Sequence, residues 1–203
     1  VDRPNLFMSV DESLLSSAVN RVVDRVSPVN EFVLGTPVRG TGHTSGMVRL
    51  DFIPSAHRAV TQLSFQATNL ANTKSTKGPV TVCSEGVTEL SAQKRIYIND
   101  ERLWADQTVA TASTKTRMTG IGIKSRFGKN FIRRIATKKV SEMKPKIEAI
   151  SEKRAQERVR QEFEAETASA ISEASRDYEQ KFRQPLKVRG WYPELLRMST
   201  TDN

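Results

Sequence analysis

Residues 131–182 read FIRRIATKKVSEMKPKIEAISEKRAQERVRQEFEAETASAISEASRDYEQKF. Apolar side chains recur here mostly at the intervals that form one face of an α-helix. Because a proline inside a helix removes a hydrogen bond, we expect a kink at Pro145, or two helices that meet near Lys144. The apolar positions are Phe131, Ile132, Ile135, Val140, Met143, Ile147, Ile150, Ala155, Val159, Phe163, Ile171, Ala174, Tyr178 and Phe182.

The predicted helix spans residues 128–184 and is too long for a small globule to cover unaided. The part that follows Pro145 would extend about 58 Å, at about 1.5 Å per residue. A sheet, a partner helix or a second copy of the chain must therefore cover its apolar stripe. A sheet that shelters the helix is one prediction, and a homo-oligomer formed through the helix is another.

Charge divides the predicted helix into a basic first half and an acidic second half. A basic helix face suits an anionic lipid, a polysaccharide or another protein as partner. Nucleic acid is disfavoured, because single-strand binders interleave such charge with stacking aromatic side chains, and the nearby aromatic residues belong to the apolar stripe. The candidate contacts with an anionic partner are Arg133, Arg134, Lys138, Lys139, Lys144 and Lys146.

Residues 31–127 change to a period of two. From Val48 to Phe52, apolar residues alternate with Arg49 and Asp51. Alternation of this kind is typical of half-buried antiparallel strands, so we predict about six strands in a curved sheet, a meander or a partial barrel. The whole chain is thus predicted to be α+β, with an N-terminal helix, this sheet and the long C-terminal helix. Further alternating runs lie at 63–67, 80–82, 88–92, 96–98 and 109–117, with turn residues at 54–55, 72–79, 85–86 and 99–100.

The two ends of the chain have patterns of their own. Residues 1–30 contain a predicted amphipathic helix at 9–27, which begins with the capping-box spacing of Ser9 and Glu12 and stops at Pro28. Its apolar stripe is Leu15, Val19, Val22, Val23 and Val26. The tail, residues 185–203, carries the apolar cluster Trp191, Tyr192, Leu195 and Leu196, so we expect it to dock on the rest of the molecule.

Composition restricts the class of protein. The chain has 203 residues, a formal charge of +9 and a hydrophobic share of 37%. The single cysteine, Cys83, excludes an intrachain disulfide. No stretch has the roughly 18 apolar residues that a transmembrane helix needs. Because Val1 rather than methionine begins the sequence, we expect a processed product or a piece of a longer protein, without its signal peptide.

The sequence predicts no catalytic, cofactor or metal site. Catalysis needs converging groups of adjustable protonation, and the chain offers only His43, His57 and Cys83 besides its carboxylates. A structural zinc site wants about four such ligands. The glycine-rich run Gly40–Gly46 is followed by strand-like residues rather than by a helix, so it predicts a bulged or tightly bent hairpin instead of a phosphate loop. We therefore expect a protein that is not an enzyme.

The stretch from Gly40 to Arg117 resembles a group of uncharacterised envelope-associated proteins of planctomycete bacteria. The residues that carry the resemblance are Gly46–Leu50, Gly78–Ser84 and Lys94–Ile98, followed by the helical runs Arg133–Ala136 and Arg158–Ala170. The resemblance implies an exported, non-enzymatic protein. The order of helix, curved sheet and long helix is also similar to the tubular lipid-binding superfamily, in which an acyl chain lies between a sheet and a long helix.

Two functions follow as hypotheses. The first is a non-catalytic structural or binding module of the bacterial cell envelope, in the periplasm, with the basic helix facing an anionic partner. The alternative is a lipid-binding or lipid-transfer domain, which requires an apolar tunnel between the sheet and the long helix.

Overall fold

A computed structural model describes residues 7–125 and 128–201, so the ends of the predicted segments at 1–6, 126–127 and 202–203 lie outside the described residues. The described residues form six strands, one long α-helix, two short α-helices and a π-helical segment. The elements are α1 Glu12–Val19, β1 Arg21–Val33, β2 Thr36–Phe52, β3 Ala59–Lys77, β4 Val80–Ile98, β5 Leu103–Ala105, β6 Val109–Ile123, α2 Lys129–Asp177, a π-helical segment Tyr178–Arg183 and α3 Gln184–Val188.

The six strands form one antiparallel sheet in the order β1-β2-β3-β4, and β4 then pairs with both β5 and β6. β6 pairs along Val80–Gln93 of β4, and β5 pairs along its last residues, Ile96–Ile98. β1 therefore forms one edge, β6 and the short β5 together form the other, and the sheet does not close into a barrel. The predicted α+β class, with about six antiparallel strands and a long C-terminal helix, is confirmed.

Helix α2 lies against one face of the sheet and is bonded to both edges. The Gln156 side chain donates to the carbonyl oxygen of Ala110 in β6 at 2.8 Å. On the opposite side, the Arg158 guanidinium is 2.6 Å from the carboxylate of Glu31 in β1. One helix reaches both edge strands only if the sheet wraps around it. The core between them consists of Val48, Leu50, Leu63, Ala92, Ala110, Val159 and Phe163.

The helix predicted at 9–27 is wrong beyond Val19, because the following residues are strand β1. Valines at positions 22, 23 and 26 fit a helical stripe, yet they are β-branched and pair with β2 along its whole length. Val22 and Val26 are exposed, whereas Val23 packs on the core. The capping box is also absent: Asp11 caps α1 by accepting from the Ser13 N–H at 2.8 Å.

The strands are longer than the alternating runs predicted. The runs at 80–82, 88–92 and 96–98 are all parts of β4, and the turn predicted at 85–86 is wrong. Both residues of that predicted turn pair with β3 on one side and with β6 on the other. The predicted hairpin at Gly40–Gly46 is likewise wrong, since these residues lie inside β2.

The glycines of β2 permit a close approach to β3. A Cβ atom at Gly46 would overlap the backbone oxygen of Gln66 and the Cβ of Ala67. A Cβ at Gly40 would overlap the backbone of Asn72 in the same way. Glycine inside a strand often marks such a point, and here it lets the sheet bend tightly around the helix.

Gly46→Ala is expected to lower the free energy of unfolding by about 1–3 kcal/mol, the usual cost of overpacking. Gly86→Ala is the matched control, because its Cβ would meet Thr116 at 3.7 Å, an ordinary contact. Urea denaturation followed by circular dichroism measures both. Equal stability of the two variants would contradict the close approach of β2 and β3.

Helix α2 runs through Pro145 without interruption, so the alternative of two helices meeting near Lys144 is wrong. Pro145 cannot donate to the carbonyl of Ser141, four residues earlier. Both residues are exposed, and solvent can therefore bond that carbonyl. None of the helices in the described ranges combines the length and hydropathy that a bilayer crossing requires.

The chain after α2 returns to the end of the sheet near the β4–β5 turn. The Tyr192 hydroxyl donates to the carbonyl oxygen of Asp100 at 2.6 Å, and Thr200 forms a backbone bridge with Ser55. Trp191 and Leu195 remain exposed. The tail thus contacts the sheet through its polar groups, while part of its predicted apolar cluster faces solvent.

Candidate ligand cleft

A cleft of about 1460 Å³ lies between helix α2 and the face of the sheet that wraps it. Residues of β1, β2, β3, β4 and β6 line one side, and residues of α2 line the other. The core residues Val159 and Phe163 close the end of the cleft that lies toward the C-terminus of α2. Toward the start of α2, the lining residues Phe131 and Ile135 are exposed, so the cleft is open to solvent there.

Nine of the α2 side chains that line the cleft form a row spaced four residues apart, and neighbours such as Ile132, Val140 and Lys144 line it beside them. Side chains at this spacing follow one another along a helix surface, inclined slightly to its axis. At the open end they are exposed: Phe131 by 70% and Ile135 by 51%. We call this set the α2 row, and its members are Phe131, Ile135, Lys139, Met143, Ile147, Ser151, Ala155, Val159 and Phe163.

The sheet side of the cleft mixes valines with hydroxyl groups. Val33, Val38, Val80 and Val82 line the end nearest the hairpin turns. The hydroxyl-bearing residues further along are bonded largely to each other or to the protein, as in Thr88 with Thr114 at 3.0 Å. Satisfied hydroxyls need no ligand partner, so this wall can accept an apolar chain. Other such bonds join Asn69 to Thr44, Thr73 to the Ser84 carbonyl and Thr116 to Glu148.

Ion pairs close the seam between the edge strand β1 and the helix. Glu31 accepts from Arg158 at 2.6 Å and from Arg154 at 3.4 Å, and Arg21 pairs with Glu166 at 2.5 Å. On the β6 side, carboxylates of α2 accept from backbone N–H groups of β6, such as that of Thr114. These contacts hold the helix between the two edges while leaving the interior of the cleft unfilled.

A buried polar cluster fixes α2 to the sheet just beyond the closed end of the cleft. The Lys94 ammonium is 4% exposed and lies 2.6 Å from the Glu164 carboxylate. Thr108 donates to the other carboxylate oxygen through its hydroxyl at 2.6 Å and its backbone N–H at 3.1 Å. The hydrogen bonds from Lys94 and Thr108 lower the pKa of Glu164 to about 2. The cluster is an anchor between sheet and helix.

The six cations predicted to contact an anionic partner are all exposed, but they occupy different faces of α2. Lys139 and Lys144 line the cleft. Lys144 lies 3.8 Å from Glu148, and Lys138 lies 4.0 Å from Glu142. Arg133, Arg134, Lys138 and Lys146 lie outside the cleft lining.

Five further cations that line the cleft were not predicted, and two of them, Arg25 and Lys77, have no ion pair among the described residues; the others are Arg21, Arg117 and Arg158. The alternation of a strand could have indicated Arg25 and Lys77. Arg25 lies four residues from the cleft residue Val29, and Lys77 lies two residues from the cleft residue Ser75, so each faces the same side of the sheet as that residue. For Arg25 that signal was hidden, because the sequence around it was interpreted as a helix.

The residues considered for chemistry lie elsewhere. His43 is 2.5 Å from Asp24 and lies on the opposite side of β2 from the cleft residues Gly42 and Thr44. Cys83 is partly buried and does not line the cleft. Within residues 7–125 and 128–201, no group of three or more histidine, cysteine or carboxylate side chains could hold a metal ion.

Comparison with protein-family models, with curated proteins and with solved structures found no match. The resemblance to planctomycete envelope proteins and to the tubular lipid-binding superfamily stays a prediction. The candidate function therefore depends on the geometry and chemistry of the cleft.

Proposed function

We propose that this protein binds a long-chain, largely apolar ligand, such as a lipid, in the cleft between helix α2 and the sheet. The observation that carries the proposal is the α2 row, in which apolar side chains face about 1460 Å³ of unfilled space. Pockets for drug-sized ligands occupy roughly 300–1,000 Å³. The cleft is larger than these, and a flexible chain suits its length along the helix.

A packing defect does not explain a space of this size. Protein interiors are close-packed, and the voids that occur are few and small. The chain packs α2 against the sheet at Val159 and Phe163, yet leaves Phe131 and Ile135 without cover. Exposed apolar surface in a concave site is typical of a ligand-binding groove.

The shape of the cleft favours a slender ligand over a partner helix. Five strands and α2 line the space, and ion pairs of Glu31 and Arg21 bridge its seam with β1. A helix with side chains is about 10–12 Å across. Admitting one would require these bridges to part, whereas an extended acyl chain can enter from the open end.

The wider class that we propose is a non-catalytic binding module of the cell envelope. The four exposed cations outside the cleft, Arg133, Arg134, Lys138 and Lys146, support an anionic surface as its docking partner. The periplasmic location and a homo-oligomer through α2 stay predictions from the sequence.

Ile147→Glu is expected to weaken binding of a neutral fluorescent chain, such as a dansyl-labelled fatty acid methyl ester, by roughly tenfold or more. The reason is that Ile147 belongs to the α2 row, and a carboxylate covered by an apolar ligand loses its hydration without gaining a partner. Fluorescence titration of the full chain measures the affinity.

Ala149→Glu is the control, because Ala149 is exposed on the same helix and does not line the cleft. It should bind the ester like the unmodified chain. If the unmodified chain fails to bind the ester after lipid extraction, and native mass spectrometry before extraction shows no bound lipid, the proposed function is wrong.

A further inference from the structure

One charged side chain interrupts the α2 row. Lys139 lies between Ile135 and Met143 and lines the cleft with them. The other eight members of the row carry no charge. The Lys139 side chain is exposed, so its ammonium can meet a charged group that lies at the open end of the cleft.

Unlike Lys138 and Lys144, Lys139 has no ion pair among the described residues. Lys138 reaches Glu142 and Lys144 reaches Glu148, each one helical turn away. The residue one turn after Lys139 is Met143, which offers no carboxylate. The ammonium is therefore available to a group that enters the cleft.

The balance of charged side chains that line the cleft supports an anionic ligand. The carboxylates Glu31, Glu85 and Glu166 are bound by arginines, and Asp24 lies against His43. Glu162 is then the one lining carboxylate without an ion pair in the part of the chain that the structure describes. Three lining cations lack one there: Arg25, Lys77 and Lys139.

We propose that the ligand is a single-chain amphiphile with an anionic headgroup, a carboxylate or a phosphate, and that Lys139 binds this headgroup. This inference rests on the proposed function. The chain then lies along Met143, Ile147 and the rest of the α2 row toward Val159, with the charged end nearer the open end of the cleft. A charge-assisted hydrogen bond from an ammonium to such an anion is stronger than one between neutral groups.

The test uses three dansyl-labelled probes of equal chain length: a fatty acid, its methyl ester and the corresponding alkyl phosphate. The variants are Lys139→Met, which keeps the apolar length of the side chain, and Lys139→Arg, which keeps the charge. Lys138→Met is the matched control, since Lys138 lies outside the lining. Each probe is titrated by fluorescence against the full chain.

The unmodified chain should bind an anionic probe about tenfold more tightly than the ester, and Lys139→Met should remove that preference without weakening ester binding. Lys139→Arg and Lys138→Met should keep the preference. The anionic probe that shows it identifies the headgroup as carboxylate or phosphate.

An equal affinity of the unmodified chain for all three probes would overturn the inference and leave the proposed function standing. A preference that survives in Lys139→Met would also overturn it, and would point to Arg25 or Lys77. Failure of every probe to bind, together with no bound lipid in native mass spectra, is a different result, because it removes the proposed function itself.

Discussion

Phe163→Ala is expected to lower the free energy of unfolding by about 3–5 kcal/mol, the usual cost of truncating a buried phenylalanine. Phe163 is 7% exposed, and its ring lies 6.4 Å from that of Phe65 in β3. It joins the helix to the core residues of β2, β3, β4 and β6, so its removal leaves a cavity at the point where sheet and helix meet.

Phe131→Ala makes the same chemical change at the open end of the α2 row, where the side chain is 70% exposed. Its effect should stay within about 0.5 kcal/mol, as for most surface substitutions. Both variants are compared by urea denaturation in the absence of ligand. Losses of similar size would mean that α2 is not seated in the sheet through Val159 and Phe163.

Glu164→Ala is the second variant with a large expected effect, a loss of about 3 kcal/mol. The substitution strands the Lys94 ammonium, which is 4% exposed, without its counter-charge. It also removes the acceptor for both donors of Thr108. Breaking a buried ion pair costs about 3–5 kcal/mol, and we take the lower end because the Glu164 side chain is 40% exposed.

Two further variants separate the buried pair from an ordinary surface pair. Glu157→Ala removes an exposed carboxylate of α2 that bonds Arg160, and its cost should stay below about 1 kcal/mol. Lys94→Met combined with Glu164→Leu should recover most of the lost stability, since the ammonium is then gone as well. Without that recovery, the loss in Glu164→Ala comes from something other than the stranded charge.

The same pair gives the protein a defined response to acid. Lys94 and Thr108 lower the pKa of Glu164 from 4.5 to about 2 in the folded chain. A carboxyl with a lowered folded pKa stabilises the fold fully above its unfolded value, and this stabilisation is lost as the pH falls from about 4.5 toward 2. The free energy of unfolding, measured by denaturation at several pH values across this range, should fall more steeply on acidification for the unmodified chain than for Glu164→Ala.

Much of the architecture could be predicted because periodicity reports which faces of an element are buried. The alternation from Val48 to Phe52 predicted a strand, and the helical spacing from Phe131 onward predicted a helix. Both elements are present. The N-terminal prediction failed because valines at positions 19, 22, 23 and 26 satisfy a helical stripe as well as a strand. The pairing of β1 with β2 decides between these structures, and a local pattern does not contain that pairing.

The turn predicted at Glu85 and Gly86 failed for a related reason. Glycine marks turns, yet Gly86 lies inside a strand of 19 residues and pairs with Ala71 of β3 on one side and Thr116 of β6 on the other. Local composition does not distinguish a turn from a glycine that pairing with both neighbouring strands holds in an extended strand.

The cleft itself was predictable only in outline. A long apolar stripe required cover, and the lipid-binding hypothesis placed a tunnel between sheet and helix. Which part of the stripe is covered depends on contacts such as that of Lys94 with Glu164, which are 70 residues apart in the chain. The sequence shows both charges but gives no sign that they meet.

The uneven packing of α2 has a consequence for its motions. The buried residues of this helix of 49 residues are Val159, Phe163 and Thr167, and none of them belongs to its first thirty positions. Segments with few buried contacts open locally at a small fraction of the global unfolding energy. The amide protons of α2 before Val159 should thus exchange early with solvent deuterium. A bound ligand chain should slow this exchange, because its contacts with that part of the helix offset the entropy lost when the part becomes ordered.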